Sequence, residues 1–292
     1  MASDLHVDPA IETKPRRWGI ALVLSLLFPG WGQIYNGQFW KALGIWGGWI
    51  VANLCVIALG LPLTFPGLLA MLLAGVAFYV FVSLEAVISA RRLNLQPRGS
   101  TPSRWYTFLG LTAIVYTLSF FAVSASRRFF FQAYKIPAGS MEPTLLIGDH
   151  IVVDKRARPR QRGDVIVFRF PPDPSKDYLK RVIAVGSDSV EIKNGIAYLN
   201  GLQMQDPHAR LDVAIQDRAS TSPRDNFGPV ALPAGKLFVL GDNRDHSYDS
   251  RFWGFVDETD VEGRVRYVYW SVDGENSAVN HVRWERIGKS VE

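Results

Sequence analysis

The sequence predicts a mixed architecture: an N-terminal α-helical transmembrane region, then a mostly-β domain. Three observations lead there. Residues 1–126 carry 8 Lys/Arg and 4 Asp/Glu, whereas residues 127–292 carry 24 and 23. The front holds three apolar runs of span length, and a helix needs roughly 20 residues to cross the hydrocarbon core. The back holds short β-branched and aromatic runs between turn residues, with no long helical period.

Taken in order, residues 1–17 form a polar tail ending in Lys14, Arg16 and Arg17. Trp18 to Tyr35 has an apolar core, Ile20–Phe28, too short to span, and Pro29-Gly30-Trp31-Gly32 follows at once. This reads as a re-entrant or interfacial segment. Phe39–Leu61, Pro66–Ala90 and Trp105–Ser126 are the span candidates. Glu85 is the single acid among them and is expected to reach the headgroups or pair with Arg91 or Arg92. Gly44 and Gly48 form a G-x-x-x-G pair suited to close helix packing. Pro29 to Gln38 resembles a small two-helix membrane module of many bacterial proteins, for which no catalytic role follows. Cys55, the single cysteine, lies in an apolar run and reads as a small hydrophobe; no intramolecular disulfide can form.

Basic residues mark the cytoplasmic side of a membrane. They place the tail and the loop holding Arg91, Arg92, Arg98 and Arg104 inside, which requires an even number of crossings between them. The third span then carries the chain out, against the pull of Arg127 and Arg128. The expected organisation is a cytoplasmic tail (1–17), a membrane module (18–92), a cytoplasmic loop (93–104), a transmembrane helix (105–126) and an extracytoplasmic β-rich domain (127–292). The net charge of +5 comes mostly from the front, which argues against a nucleic-acid binder.

In the back half the expected strands are Ile151–Val153, Val165–Phe170, Tyr178–Val185, Val190–Ile192, Ile196–Leu199, Leu237–Leu240 and Val265–Trp270. Lys193-Asn194-Gly195 signals a tight hairpin. Residues 203–230 read as loop. No G-x-S-x-G, H-E-x-x-H, phosphate loop or G-x-G-x-x-G occurs, and the five histidines are scattered. No metal or cofactor is implied.

Three segments concentrate constrained and polar residues. In Ile136-Pro-Ala-Gly-Ser-Met-Glu-Pro-Thr-Leu145, two prolines and Gly139 surround Ser140. Such a turn presents a hydroxyl and its own N–H in one direction, as a nucleophile with an oxyanion hole requires; a turn with a solvated serine is the other reading. In Asp177-Tyr-Leu-Lys-Arg-Val-Ile183, alternation sets Tyr178, Lys180 and Val182 opposite Leu179, Arg181 and Ile183. A buried Lys180 loses its charge readily and becomes a base; a snorkelling edge-strand lysine is the alternative. The third segment runs from Gly241 to Gly254. There Asp242, Arg244, Asp245, Asp249 and Arg251 can pair to fix a loop, and Ser247 or Ser250 can bond the Lys180 amine. A Ser-His-Asp arrangement through His246 is disfavoured because its acids crowd into one loop.

Together these segments resemble bacterial type I signal peptidase. The matching stretches are Pro-x-Gly-Ser-Met-x-Pro-Thr-Leu, Arg162-Gly-Asp-Val-x-Val-Phe, Tyr-x-Lys-Arg-Val and Gly-Asp-Asn-Arg-Asp-x-Ser-x-Asp-Ser-Arg-x-Trp-Gly, within roughly residues 127–270. The resemblance implies a β-rich catalytic domain of the signal peptidase type. It further implies a serine–lysine protease that removes signal peptides from exported preproteins, with Ser140 as nucleophile and Lys180 as general base. Ser247 matches the serine that orients the lysine, and Asp249 and Arg251 the supporting charged pair. Tyr178 and Arg181 flank the base, with Asp242 and Arg244 as further support. Met141, with Ile136 and Pro137, is expected along the substrate-binding region, and the Ser140 N–H in the oxyanion hole. Preprotein signal peptides and the lipid bilayer are the implied partners, with the translocation machinery a further candidate. Two positions depart from the family pattern: Ala138 stands where many members carry a hydroxyl, and His246 where asparagine is usual. A conjugation-pilus processing peptidase sharing the dyad and an inactive membrane-anchored scaffold are the alternatives.

Overall fold

A computed structural model describes residues 16–94, 105–157, 161–212, 222–273 and 281–291. Much of the expected cytoplasmic tail and loop, including Lys14, Arg98 and Arg104, lies outside the described residues. The chain forms two compact units, 1–62 with 66–125 and 63–65 with 126–292.

The first unit is helical. Helices α1 (Trp18–Leu27) and α2 (Trp31–Tyr35) precede three helices long and apolar enough to cross a membrane: α3 (Phe39–Ala58), α4 (Phe65–Leu93) and α5 (Trp105–Phe129). The third continues through Arg127 and Arg128, three residues past the expected end at Ser126. α1 and α2 fold back on each other as a hairpin. The Arg17 N–H donates to Tyr35 Oη at 3.3 Å, and Arg16 exchanges two hydrogen bonds with Asn94 just beyond α4. The start of α1, the end of α2 and the end of α4 therefore share one end of the unit. The hairpin reverses at Phe28-Pro29-Gly30, where Gly30 takes φ +103°. The Trp46 indole N–H donates to the Pro29 carbonyl at 2.7 Å, giving the broken backbone a hydrogen-bond partner.

Small residues lock this hairpin to α4. A Cβ on Gly32 would lie 2.2 Å from Ser25 Oγ, 2.5 Å from the Ala21 carbonyl and 2.7 Å from Ala86 Cβ. Gln33, fully buried, donates to the Val82 carbonyl and to Glu85, and Asn36 donates to the Ala86 carbonyl. Two expectations are corrected. Glu85 pairs with Lys41 and bonds Ser89 and Gln33, rather than pairing with Arg91 or Arg92. Arg91 instead packs over Trp18. Gly44 and Gly48 meet nothing within 4 Å, so the close approach comes from Gly32 instead.

The second unit is mostly antiparallel β. A seven-stranded sheet runs β1 (Phe131–Lys135), β2 (Asp149–Asp154), β11 (Val261–Ser271), β3 (Val165–Phe170), β4 (Asp173–Val185), β9 (Lys236–Leu240) and β10 (Val256–Asp257). A four-stranded sheet holds β7 (Leu202–Gln203), β6 (Ile196–Leu199), β5 (Ser189–Lys193) and β8 (Phe227–Ala231). The alternation in β4 is observed: Leu179 packs with Val165 and Val167, whereas Tyr178 and Val182 pack with Ile166 and Phe168. Asn194 and Gly195 both take positive φ between β5 and β6, as a two-residue hairpin of this twist requires. β8 corrects the loop reading of residues 203–230: Gly228 and Pro229 disguise a strand that pairs with β5.

Gly32→Ala should push α1 and α2 off α4 and lower stability by about 1–3 kcal/mol, the usual cost of overpacking. Gly44→Ala and Gly48→Ala should be nearly neutral. Thermal unfolding of the three variants in detergent checks this order, and equal effects would contradict it.

Candidate active site

The turn carrying Ser140 follows β1 directly. Ile136 and Met141 are buried in the core beside Leu145 and Val165, pinning the turn from both sides, and residues Gly139–Met141 form one 3₁₀ turn. Ser140 lies in its first positions, where the leading N–H groups of a helical turn have no partner within the turn.

Lys180 reaches this serine from the middle of β4. Its side chain is 4% exposed, and Nζ lies 2.8 Å from Ser140 Oγ and 3.0 Å from the Leu179 carbonyl. Burial drives its pKa down to about 8. The charges of Asp249 and Asp242 oppose that shift, and Arg251 reinforces it. The snorkelling alternative therefore fails: the amine points into the protein.

Both acids are held by arginines. Arg181 grips Asp242 through two 2.8 Å bonds, with both side chains almost wholly out of solvent. Arg251 grips Asp249 through two more at 2.8 Å, equally buried. Asp242 also accepts from Thr144 at 2.5 Å, and Asp249 from the Gly241 N–H at 3.1 Å. Arg244 pairs with Asp206 and donates to the Gly241 carbonyl. The loop from 241 to 251 is thus fixed by buried ion pairs.

This loop in turn holds the serine turn. The Asn243 backbone N–H donates to the Ser140 carbonyl at 3.1 Å, and its side-chain amide donates to the Gly139 carbonyl at 3.2 Å. A Cβ on Gly241 would fall 2.3 Å from Ser247 Oγ and 2.4 Å from the Ser140 carbonyl, so only glycine fits. On the other side Asp149 accepts from Arg286, Ser271 and the Leu146 N–H, while Arg286 also donates to the Thr144 carbonyl. Burial works against the Asp149 charge, but these bonds outweigh it and lower its pKa.

A cleft of about 410 Å³ opens onto Ser140 and Lys180. Tyr134, Ile136, Pro137, Ala138 and Met141 line one side, and Asp177, Tyr178 and Leu179 another. All three residues expected along the substrate region thus border it. Ser247 and Ser250 depart from expectation. Ser250 Oγ accepts from the Val239 N–H, and Ser247 Oγ is buried without a hydrogen-bond partner, packed toward Gly241 rather than bonded to Lys180. His246 borders the cleft but is exposed and pairs with Asp212, at 3.4 Å, rather than with an acid of its own loop.

A family model described as signal peptidase, peptidase S26, matches residues 108–270, more than half of the chain. The chain belongs to the signal peptidase family. A family of unknown function matches residues 12–59. Among the relatives, a probable signal peptidase I-2 of Synechocystis is 33% identical over 62% of this chain and 81% of its own length. Signal peptidase I of Bacillus caldolyticus is 37% identical over 51% and 84%, and that of Aquifex aeolicus 32% identical over 51% and 80%. This peptidase is thus a serine-protease hydrolase with an additional helical region in front. Asn243, Thr144 and Gly241 escaped the residue-by-residue reading, although they stand inside the matching stretches. Asp206 and Arg210 carried no signal, because they belong to a stretch without periodicity.

Removing Asp242 would strand the buried Arg181 guanidinium. Asp242→Ala should cost about 3–5 kcal/mol of unfolding free energy, read by thermal or denaturant unfolding; a loss below about 1 kcal/mol would show that the pair is dispensable to the fold.

Proposed function

We propose that this peptidase is a membrane-bound serine endopeptidase that cleaves N-terminal signal peptides from exported preproteins, with Ser140 as nucleophile and Lys180 as general base. The observation that carries the reading is the 2.8 Å approach of a buried lysine amine to a serine on a pinned turn. Neutral Lys180 accepts the Ser140 proton as Oγ attacks the scissile carbonyl. The resulting ammonium then donates a proton to the leaving amine of the mature protein. Water, deprotonated by the same amine, hydrolyses the acyl-serine ester. The Ser140 N–H serves the oxyanion, and the Ala138 methyl adds no donor, so the hole is leaner than one with a hydroxyl there.

Arg181–Asp242 and Arg251–Asp249 support this centre by holding the loop around it. The cleft beside Ile136, Pro137 and Met141 receives the residues before the cut. The expected topology accompanies the reading: α1 and α2 as a re-entrant hairpin, α3 to α5 as three crossings, and residues 127–292 on the extracytoplasmic side of the cytoplasmic membrane. Signal peptides and the bilayer are the partners, with translocation machinery a natural neighbour.

Ser140→Ala and Lys180→Ala should each lower cleavage of a preprotein in detergent by at least about a thousandfold; full activity in either variant would overturn the dyad. With a pKa of about 8, about one Lys180 in ten is neutral at pH 7. The base is the neutral form, so kcat/KM should rise about tenfold per pH unit below 7 and level off above 8. A flat profile from pH 5 to 8 would contradict a lysine base. Reporter domains fused after residues 62, 98 and 130 should lie outside, inside and outside the cytoplasm; a reporter at 98 found outside would reverse the topology.

A further inference from the structure

A strap outside all three matching segments lies across the loop that holds the serine turn. It runs from Asp206 to Asp212, and its backbone pairs with that loop: the Arg210 N–H donates to the Asp242 carbonyl at 2.7 Å, and the Arg244 N–H donates to the Arg210 carbonyl at 3.0 Å. The Asp206–Arg244 ion pair fixes its start, and the Asp212 N–H, bonded to Asp245 at 2.7 Å, fixes its end. Arg210 is thus delivered to a set place. From there its side chain bonds Asp212 at 2.8 Å and reaches Glu142, two residues beyond Ser140, at 3.3 Å.

Glu142 is where this reach matters. Its side chain curls back over the serine turn, and a Cβ on Gly139 would lie 2.7 Å from Glu142 Oε1. The Gly139 carbonyl carbon is bonded to the Ser140 nitrogen. The carboxylate oxygen therefore lies within roughly 6.5 Å of the nitrogen whose N–H would receive the oxyanion. A second negative charge there opposes the charge that develops in the transition state, and it does so where Ala138 offers no further donor. We propose that Arg210 is a positioning residue that neutralises the Glu142 carboxylate and fixes it in place beside the oxyanion side of the serine turn.

The proposal rests on Ser140 being the nucleophile, and its test separates the two. Both side chains are partly exposed, so their contribution to folding is small and their effect is read in catalysis. Preprotein cleavage is compared for wild type, Ser140→Ala, Arg210→Ala, Arg210→Lys and the double variant Arg210→Ala/Glu142→Gln, as the full chain in detergent. Arg210→Ala should lower kcat about tenfold with KM within about twofold of wild type. Arg210→Lys, which keeps the charge, should retain more activity than Arg210→Ala. The double variant should recover at least about fivefold over Arg210→Ala, because it removes the stranded carboxylate; a mere folding defect would not be rescued this way. Wild-type kcat in Arg210→Ala, or a double variant no better than Arg210→Ala, would overturn the proposal while leaving the dyad intact. Cleavage by Ser140→Ala would instead remove the reading on which it rests.

Discussion

The second unit depends on one constraint, the burial of the Lys180 amine beside Ser140. A lysine taken out of water must either lose its proton or find a counter-charge. Two carboxylates are close enough to supply one, and both pull its pKa upward. Each is already gripped by an arginine in a buried bidentate pair, Asp242 by Arg181 and Asp249 by Arg251. Desolvation therefore remains the largest influence, and the amine titrates near 8 rather than near 10.5. The ion pairs that fix the loop are thus also what leaves the lysine without a free counter-charge. Severing either arginine would release a carboxylate toward Lys180 and raise its pKa again.

The helical unit solves a different problem. Its hairpin of α1 and α2 reverses at a proline and a glycine, and a reversal leaves backbone groups without helical partners. The Trp46 indole N–H bonds the Pro29 carbonyl at that reversal, while the Gln33 and Asn36 side chains bond the Val82 and Ala86 carbonyls of α4, and Gly32 allows the hairpin and α4 to approach closely. Lys41 and Glu85 neutralise each other across α3 and α4. Sequence-distant polar residues in these apolar helices thus act on one another rather than on solvent.

How much of this was legible beforehand follows from the range of the interactions. Spans announce themselves through length and hydropathy, and the β4 alternation through period 2, so α3 to α5 and the face of β4 that carries Lys180 could be read directly, whereas the burial of its amine, which depends on the distant serine turn and the 241–251 loop, stayed open. Asn194-Gly195 was legible because a tight turn restricts residue type locally. β1 was missed because Phe131 follows α5 with only one residue between them, and β8 because Gly228-Pro229 reads as a break. The partner of Glu85 was misjudged because Lys41 is distant in sequence while Arg91 and Arg92 are near. Ser247 shows the same limit: a motif position gives the residue type, but where its hydroxyl points depends on Gly241 and the Ser140 carbonyl packed against it. The strap through Arg210 was invisible, since backbone bonds to Asp242 and Arg244 leave no trace in side-chain patterning.

The central claim is that burial, unopposed by a free carboxylate, lowers the Lys180 pKa to about 8, so that a usable fraction of the amine is neutral near physiological pH. Its most direct test is an NMR titration of the full chain in detergent with ¹⁵N-labelled lysine, the Lys180 signal being assigned by its loss in Lys180→Arg. A midpoint near pH 8 is predicted. A midpoint at the ordinary lysine value near 10.5 would mean that the amine keeps its charge in the folded protein, and the account of the site would fail.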